Sequence, residues 1–187
     1  GAKSRSGTMF TATANQILPT TIVGSYPRPH WYRESLRGRP FKVALADALF
    51  REQYLDAVAC ILSDQSRAGL DILTDGDARF DLDVGGRSWF TYPLERMNGV
   101  GGHRDSSPGW SQRFDLRPGH ILWEVQEAYQ APIAREKVTR GPLEYAAVWQ
   151  TAQRFAERPV KFGSVSAQTL PSMLWNDAYD DEREMIH

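Results

Sequence analysis

The stretch from Thr20 to Leu73 constrains this chain most, because its hydrophobic period changes twice within a short span. Thr20–Val23 is a β-branched cluster closed by Gly24, the mark of a short strand. Pro27 to Pro40 is rich in Pro, Arg and aromatic residues, has no period, and reads as a loop. From Phe41 a helical pattern takes over: Leu45 and Leu49 lead into Leu55, Val58, Ile61, Leu62 and Gln65 at three-four spacing. Gly69 is the expected helix stop, and Leu70–Leu73 the next buried strand. Strand, loop, long helix, glycine, strand is a βαβ unit, whose strands run parallel.

The same alternation is expected further on. Ala134–Thr139 reads as a third strand, punctuated by Arg140–Gly141–Pro142. Glu144–Glu157 reads as a helix with Tyr145, Val148, Trp149, Ala152 and Phe155 on one face, stopped by Pro159. Val160–Val165 is the fourth strand candidate, and from Ala167 a helical pattern returns, broken near Asn176–Asp177. Between these, Asp81–Gly102 carries glycine pairs and suggests loop with a short helix; Gln112–Gln130 fits either a pair of strands or an excursion. The fold class this implies is α/β with a covered parallel sheet. Four βα units amount to half of a (β/α)₈ TIM barrel, whose full size is typically ~250 residues. Gly1–Thr8 reads as a leader ahead of Met9, leaving residues 9–187 as part of one barrel domain. The chain is expected to be cut, since Met185–Ile186–His187 falls in an acidic helical pattern without a Gly or Pro stop.

Charge and cysteine content narrow the partners. With 22 Lys+Arg against 23 Asp+Glu the net charge is −1, which lacks the basic profile of a dedicated nucleic-acid binder. A chain that is 41% hydrophobic and 24% charged can bury a core, which argues against disorder along its length. No apolar run approaches the roughly 20 residues that cross a bilayer, so the expectation is a soluble cytoplasmic protein without a membrane partner. The single cysteine, Cys60, rules out an internal disulfide framework and a multi-thiolate zinc site within this chain. It lies in the helical AVACIL stretch and is expected as a small core residue.

In parallel α/β folds, functional groups gather where strands end. Three strand ends stand out. Gly24–Ser25–Tyr26–Pro27 follows the first; such a step leaves backbone N–H groups for an anion such as a carboxylate, or is a plain turn. Thr74–Asp75–Gly76–Asp77 follows the second and continues through Arg79, Asp81 and Asp83. Two carboxylates around a glycine suit an amine, a cation or acid–base work; a solvated acidic turn is the plainer alternative. The spacing does not match an EF-hand loop. Arg79 and Arg87 would pair either anionic substrate groups or neighbouring carboxylates. Ser164–Thr169 follows the fourth strand, with Ser166 and Trp175 as ligand-facing candidates against a capped helix start with a core Trp. His30, His103 and His120 show no metal-ligand spacing.

Three segments, LPTTIVGSYPRP (Leu18–Pro29), SRAGLDILTDGD (Ser66–Asp77) and RPVKFGSVSAQTL (Arg158–Leu170), resemble the cobalamin-independent methionine synthase family, including its coenzyme M-utilising relatives. They occur in the family's order across Ile17–Asp181. The resemblance implies a (β/α)₈ barrel in which zinc activates a thiol for attack on a methyl group, with no cobalamin. It assigns Gly24 and Ser25 to the homocysteine carboxylate and Asp77 to its amine. Ser166 and Trp175 are secondary candidates, and no catalytic side chain is assigned. At the Asp77 position the family carries Glu, one methylene longer. The family's His-x-Cys zinc motif is absent here, so no metal ligand is expected in this chain. The implied partners are a small thiol and a methyltetrahydrofolate-type donor, with self-association or a missing C-terminal half completing the barrel. Two alternatives remain: alkyl transfer to a thiol such as coenzyme M, and a non-catalytic half-barrel that binds a thiol or amino acid or pairs with a second chain.

Overall fold

The computed structural model describes residues 13, 15–79, 91–104, 131–181 and 183–186. The expectations for residues 1–8, Asp81, Asp83, Arg87, Gln112–Gln130 and His120 lie outside them. Helices α1 (Phe41–Ala44) and α2 (Ala48–Arg67) are followed by β1 (Leu73–Thr74), α3 (Thr91–Leu94), β2 (Asn98–Arg104) and β3 (Ala131–Thr139). Then come α4 (Tyr145–Gln153), β4 (Val160–Lys161), a 3₁₀ turn at Pro171–Met173, β5 (Trp175–Asn176) and a second 3₁₀ turn at Glu184–Ile186.

Helix α2 begins where Asp47 accepts from the Leu49 and Phe50 amides, an N-cap that satisfies two orphan donors. It ends at Gly69, φ +83°, where Gly69 N–H donates to Ser66 and Leu70 N–H to Gln65. That pair of bonds is a Schellman stop, and the positive φ explains the glycine. Its core face is Phe50, Tyr54, Ala57, Val58, Ile61, Leu62 and Gln65. Leu49 and Cys60 do not belong to it: both are exposed, because they fall on the opposite side of the helical wheel from Val58 and Ile61. The expectation of Cys60 as a core residue is therefore corrected.

The strands depart from a four-stranded parallel sheet. β1 and β4 do pair in parallel, Leu73 with Val160 and Thr74 with Lys161. Both are much shorter than the expected Leu70–Leu73 and Val160–Val165 runs, and the first begins later. Thr20–Val23 is not a strand. The Thr20 carbonyl accepts from the Asp71 and Ile72 amides, while Asp71 accepts from the Thr20 amide and hydroxyl, so its pairing ends before β1 starts. Beyond that point Thr74 bonds the Gln65 side chain through both its N–H and its C=O. That glutamine occupies the edge a longer strand would need.

The sequence predicts Ala134–Thr139 as a third parallel strand, whereas β3 pairs antiparallel with β2 and in parallel with β5, in the order β2-β3-β5. The glycines Gly99, Gly101 and Gly102 disguise β2 in the sequence, since glycine carries no strand propensity. Ala167 onward is not a long helix: Pro171 allows one 3₁₀ turn, and Asn176 draws the Ala178 and Tyr179 amides onto its side chain. α4 is likewise shorter than the expected helix; Val148 and Ala152 are buried, whereas Trp149 and Phe155 are partly exposed.

Two apolar clusters result. The larger packs α1, α2 and α4 around β1 and β4, with Tyr54 edge-on to Phe41 at 5.2 Å and stacked on Phe50 at 5.5 Å. A smaller one, Leu94 with Met173 and Leu174, lies against Val100 and Val138 of the second sheet. Among the described residues no helix is long and apolar enough to cross a membrane.

Candidate functional site

The turn after β1 is the meeting point of the three motifs. Gly76 has φ +63° and Asp77 φ +54°, so two successive residues adopt the left-handed region. Glycine is required at the first: a Cβ there would lie 2.8 Å from Tyr26 Cβ and 2.9 Å from Ile61 Cγ2. Aspartate is tolerated at the second because its carboxyl bonds locally and it accepts αL more readily than most residues. The turn is braced from within, Gly76 N–H donating to Thr74 Oγ1 and Asp77 N–H to Asp75 Oδ1. It is braced from outside by Tyr26 N–H, which donates to the Gly76 carbonyl at 3.0 Å and brings the first motif alongside the second.

Arg79 ties in the third motif. Its side chain is fully buried, with Nη1 3.0 Å from Asp77 Oδ1 and 3.3 Å from Asp75 Oδ2, while Nη2 donates to the Gly163 carbonyl at 3.2 Å. Its guanidinium lies 4.3 Å from the Phe162 ring centre and 5.3 Å from that of Tyr92. Cation–π attraction in a dry setting adds to the ion pair. Burial disfavours the charged guanidinium, but Asp75 and Asp77 outweigh it and hold Arg79 firmly protonated. Arg79 thus pairs neighbouring carboxylates.

Ser25 Oγ lies 3.5 Å from Asp77 Oδ2. This is longer than an ordinary O–H···O bond. The carboxylate is therefore asymmetric: Oδ1 is held firmly by Arg79 and Oδ2 only loosely by Ser25. Asp77 is the least buried member of the Asp75–Asp77–Arg79 group, with 13% of its side chain exposed against 4% and 1%. Burial raises its proton affinity and Asp75 raises it further, with Arg79 and Ser25 opposing; the net direction is upward. Gly24, φ +97°, precedes Ser25, and a Cβ added to it would meet nothing within 4 Å.

Ser25 and Asp77, with Gly24 adjoining, are thus brought together from 52 residues apart. Ser166 and Trp175 are not joined to them. Ser166 hydrogen-bonds Thr169 in its own turn, whereas Trp175 sits in the second sheet, donating to Asp177 beneath the Arg104 guanidinium. The aromatic residues around Arg79 escaped sequence reasoning, and the only hint of them was the Phe162–Gly163 step after β4. The zinc implied by the resemblance finds no matching donor set here. Among the described residues no three His, Cys, Asp or Glu side chains gather as a metal site, and Cys60 is exposed on α2. Where carboxylates do converge, Arg79 already supplies the compensating charge.

Comparison with known proteins bears on the same segment. Residues 18–88 match the family model described as cobalamin-independent synthase, catalytic domain. The methionine synthase of Saccharolobus islandicus (strain Y.N.15.51 / Yellowstone #2) is 46% identical over 65 residues, which is 35% of this chain and 19% of that protein. The methionine synthase of Sulfolobus acidocaldarius is 48% identical over 66 residues, with the same coverage of 35% and 19%. A solved B12-independent methionine synthase from Shewanella sp. W3-18-1, in complex with selenomethionine, superposes with a TM-score of 0.66 at 21% identity. That match covers 91% of this chain and 44% of the solved one, and it establishes a shared fold. The family resemblance carried by the first two motifs is thereby established over residues 18–88, while the third motif lies beyond that span.

Proposed function

We propose, from the kinship of residues 18–88 with the cobalamin-independent methionine synthases, that this chain forms part of a thiol methyltransferase and binds the amino-acid end of its thiol substrate. Asp77 Oδ2 receives the substrate ammonium, and the Gly24–Ser25 backbone amides receive its carboxylate. The observation that supports this reading is the approach of Ser25 Oγ to Asp77 Oδ2 at 3.5 Å, which sets the Gly24–Ser25 step beside a carboxylate oxygen that is only loosely held.

The charge balance supports an amine. Asp75 and Asp77 against Arg79 leave one negative charge, which a ligand ammonium neutralises and an amine-free sulfonate thiol does not. The structural neighbour's selenomethionine is also an amino acid carrying a chalcogen side chain. On this reading the residues bind and orient: fixing both ends of the amino-acid head fixes where the sulfur lies, the requirement for in-line attack on a methyl group. In the family, zinc supplies thiol activation when bound; among the described residues no donor set fits it, and these residues bind and orient the substrate head. On the same reading the chain supplies the N-terminal part of the family's barrel and works in a cytoplasmic setting.

Titration calorimetry of the full chain with homocysteine tests it. Asp77→Ala should weaken binding by roughly 1.5–3 kcal/mol, the scale of a hydrogen bond to a charged group. A sulfonate thiol of similar size should bind more weakly than homocysteine to the native chain. Equal homocysteine affinity in the native and Asp77→Ala proteins would sink the reading.

A further inference from the structure

We infer that Arg79 is a positioning residue for Asp77: by holding Oδ1 it favours the ionised carboxylate and leaves Oδ2 as the oxygen offered to a ligand amine. The inference rests on the reading of Asp77 as the amine site and deepens it by naming what controls that site.

The geometry carries it in three steps. First, Arg79 is shared between two carboxylates that stand two residues apart and would otherwise repel, at 3.0 and 3.3 Å. Two adjacent buried carboxylates do not both ionise without such a cation. Second, the guanidinium cannot drift. Nη2 is committed to the Gly163 carbonyl, the planes of Phe162 and Tyr92 bound it, and Nε is buried without a partner among the described residues. A buried guanidinium N–H left unsatisfied is costly. That the group stays there means the remaining contacts outweigh the cost. Third, the grip is one-sided: Oδ1 is pinned, whereas Oδ2 meets only the distant Ser25 hydroxyl.

Among the described residues, the charged and titratable groups around Arg79 and Asp77 come from the turn itself and from three helices. Asp75 and Arg79 share the turn, Tyr54 projects from α2, Tyr92 from α3 and Tyr145 from α4. Burial pushes the Tyr54 phenol well above its ordinary range and that of Tyr92 to about 12, so both stay neutral while Asp77 titrates. Beyond burial itself, Asp75 and Arg79 are then the charged groups that tune it, in opposite directions, with the Ser25 hydroxyl on the side of Arg79.

Carbon-13 NMR titration of the Asp77 carboxyl in the full chain reads this without any ligand. Arg79→Gln should move the Asp77 midpoint up, and Arg79→Lys, which keeps the charge, should bring it back toward the native value. Asp75→Asn keeps the acceptor for the Asp77 amide but removes a negative charge, and should move the midpoint down. Should Arg79→Gln fail to fold, Asp75→Asn still decides. A native midpoint in either folded variant overturns the inference. A parallel homocysteine titration separates it from the functional reading. If binding follows Asp77 ionisation, affinity falls about tenfold per pH unit below each variant's own midpoint. If the midpoints move as expected while homocysteine affinity ignores them, Arg79 still governs Asp77 but the amine assignment falls.

Discussion

Burial pushes the Asp77 carboxyl toward its neutral form, Arg79 and Ser25 pull it back, and Asp75 tips the balance upward. A carboxyl whose folded-state value lies above its unfolded one binds its proton more tightly when folded. Its stabilising contribution is therefore complete at low pH and is lost as pH rises from the unfolded value through the folded one. Above the unfolded value that contribution is lost, and the buried carboxyl becomes a load on the fold. Asp77→Asn should accordingly melt at a higher temperature than the native chain at pH 7, with the gap closing as pH approaches 4. Thermal melts at several pH values check this, and a variant less stable at every pH would contradict it. Stability gained alongside weaker homocysteine binding is the pattern of a residue kept for binding. At this scale the sequence was legible in part: the TDGD step marks the turn, but nothing in it shows that Arg79 faces inward. The spacing of Asp75, Asp77 and Arg79 fits a solvated loop equally well, and only burial separates the two.

Among the elements, the two short parallel strands share a device. Gln65 of α2 bonds Thr74 through both backbone groups, and Gln153 of α4 accepts from the Val160 amide while donating to the Arg158 carbonyl. Each helix thus supplies a side-chain amide in place of a missing strand neighbour. Gln65 is fully buried, so Gln65→Leu would strip partners from Thr74 N–H and C=O in a dry place. The expected loss is about 1–3 kcal/mol per orphaned group, read as a lower urea midpoint with an unchanged m-value. A loss below about 0.5 kcal/mol would mean that water replaces the amide. Gln65 was visible in the helical stripe as a polar residue on an apolar face. Its partner was not, since it depends on where β1 stops.

For the whole molecule, the described residues form two small sheets with separate apolar clusters, and they leave Ile17, Leu18 and Val23 almost wholly exposed. Short parallel pairing with apolar side chains in water invites association. The isolated chain should self-associate at micromolar concentration, and Ile17→Lys with Val23→Lys should reduce this. Sedimentation velocity over a concentration series checks it; a concentration-independent monomer for the unsubstituted chain would contradict the expectation. By itself the sequence determined the long helix, its glycine stop, the parallel relation of the segments after Gly69 and Pro159, and the likeness of residues 18–88 to the cobalamin-independent synthase family. These rest on local periodicity, glycine conformation and motif order, which neighbours in the chain specify. The tertiary structure alone decided that Thr20–Val23 stays outside the sheet, that Ala131–Thr139 runs antiparallel to a glycine-rich partner, and that Arg79 bridges two carboxylates to Gly163. Each depends on which distant group offers the more favourable hydrogen bond, and that competition is settled by packing in three dimensions.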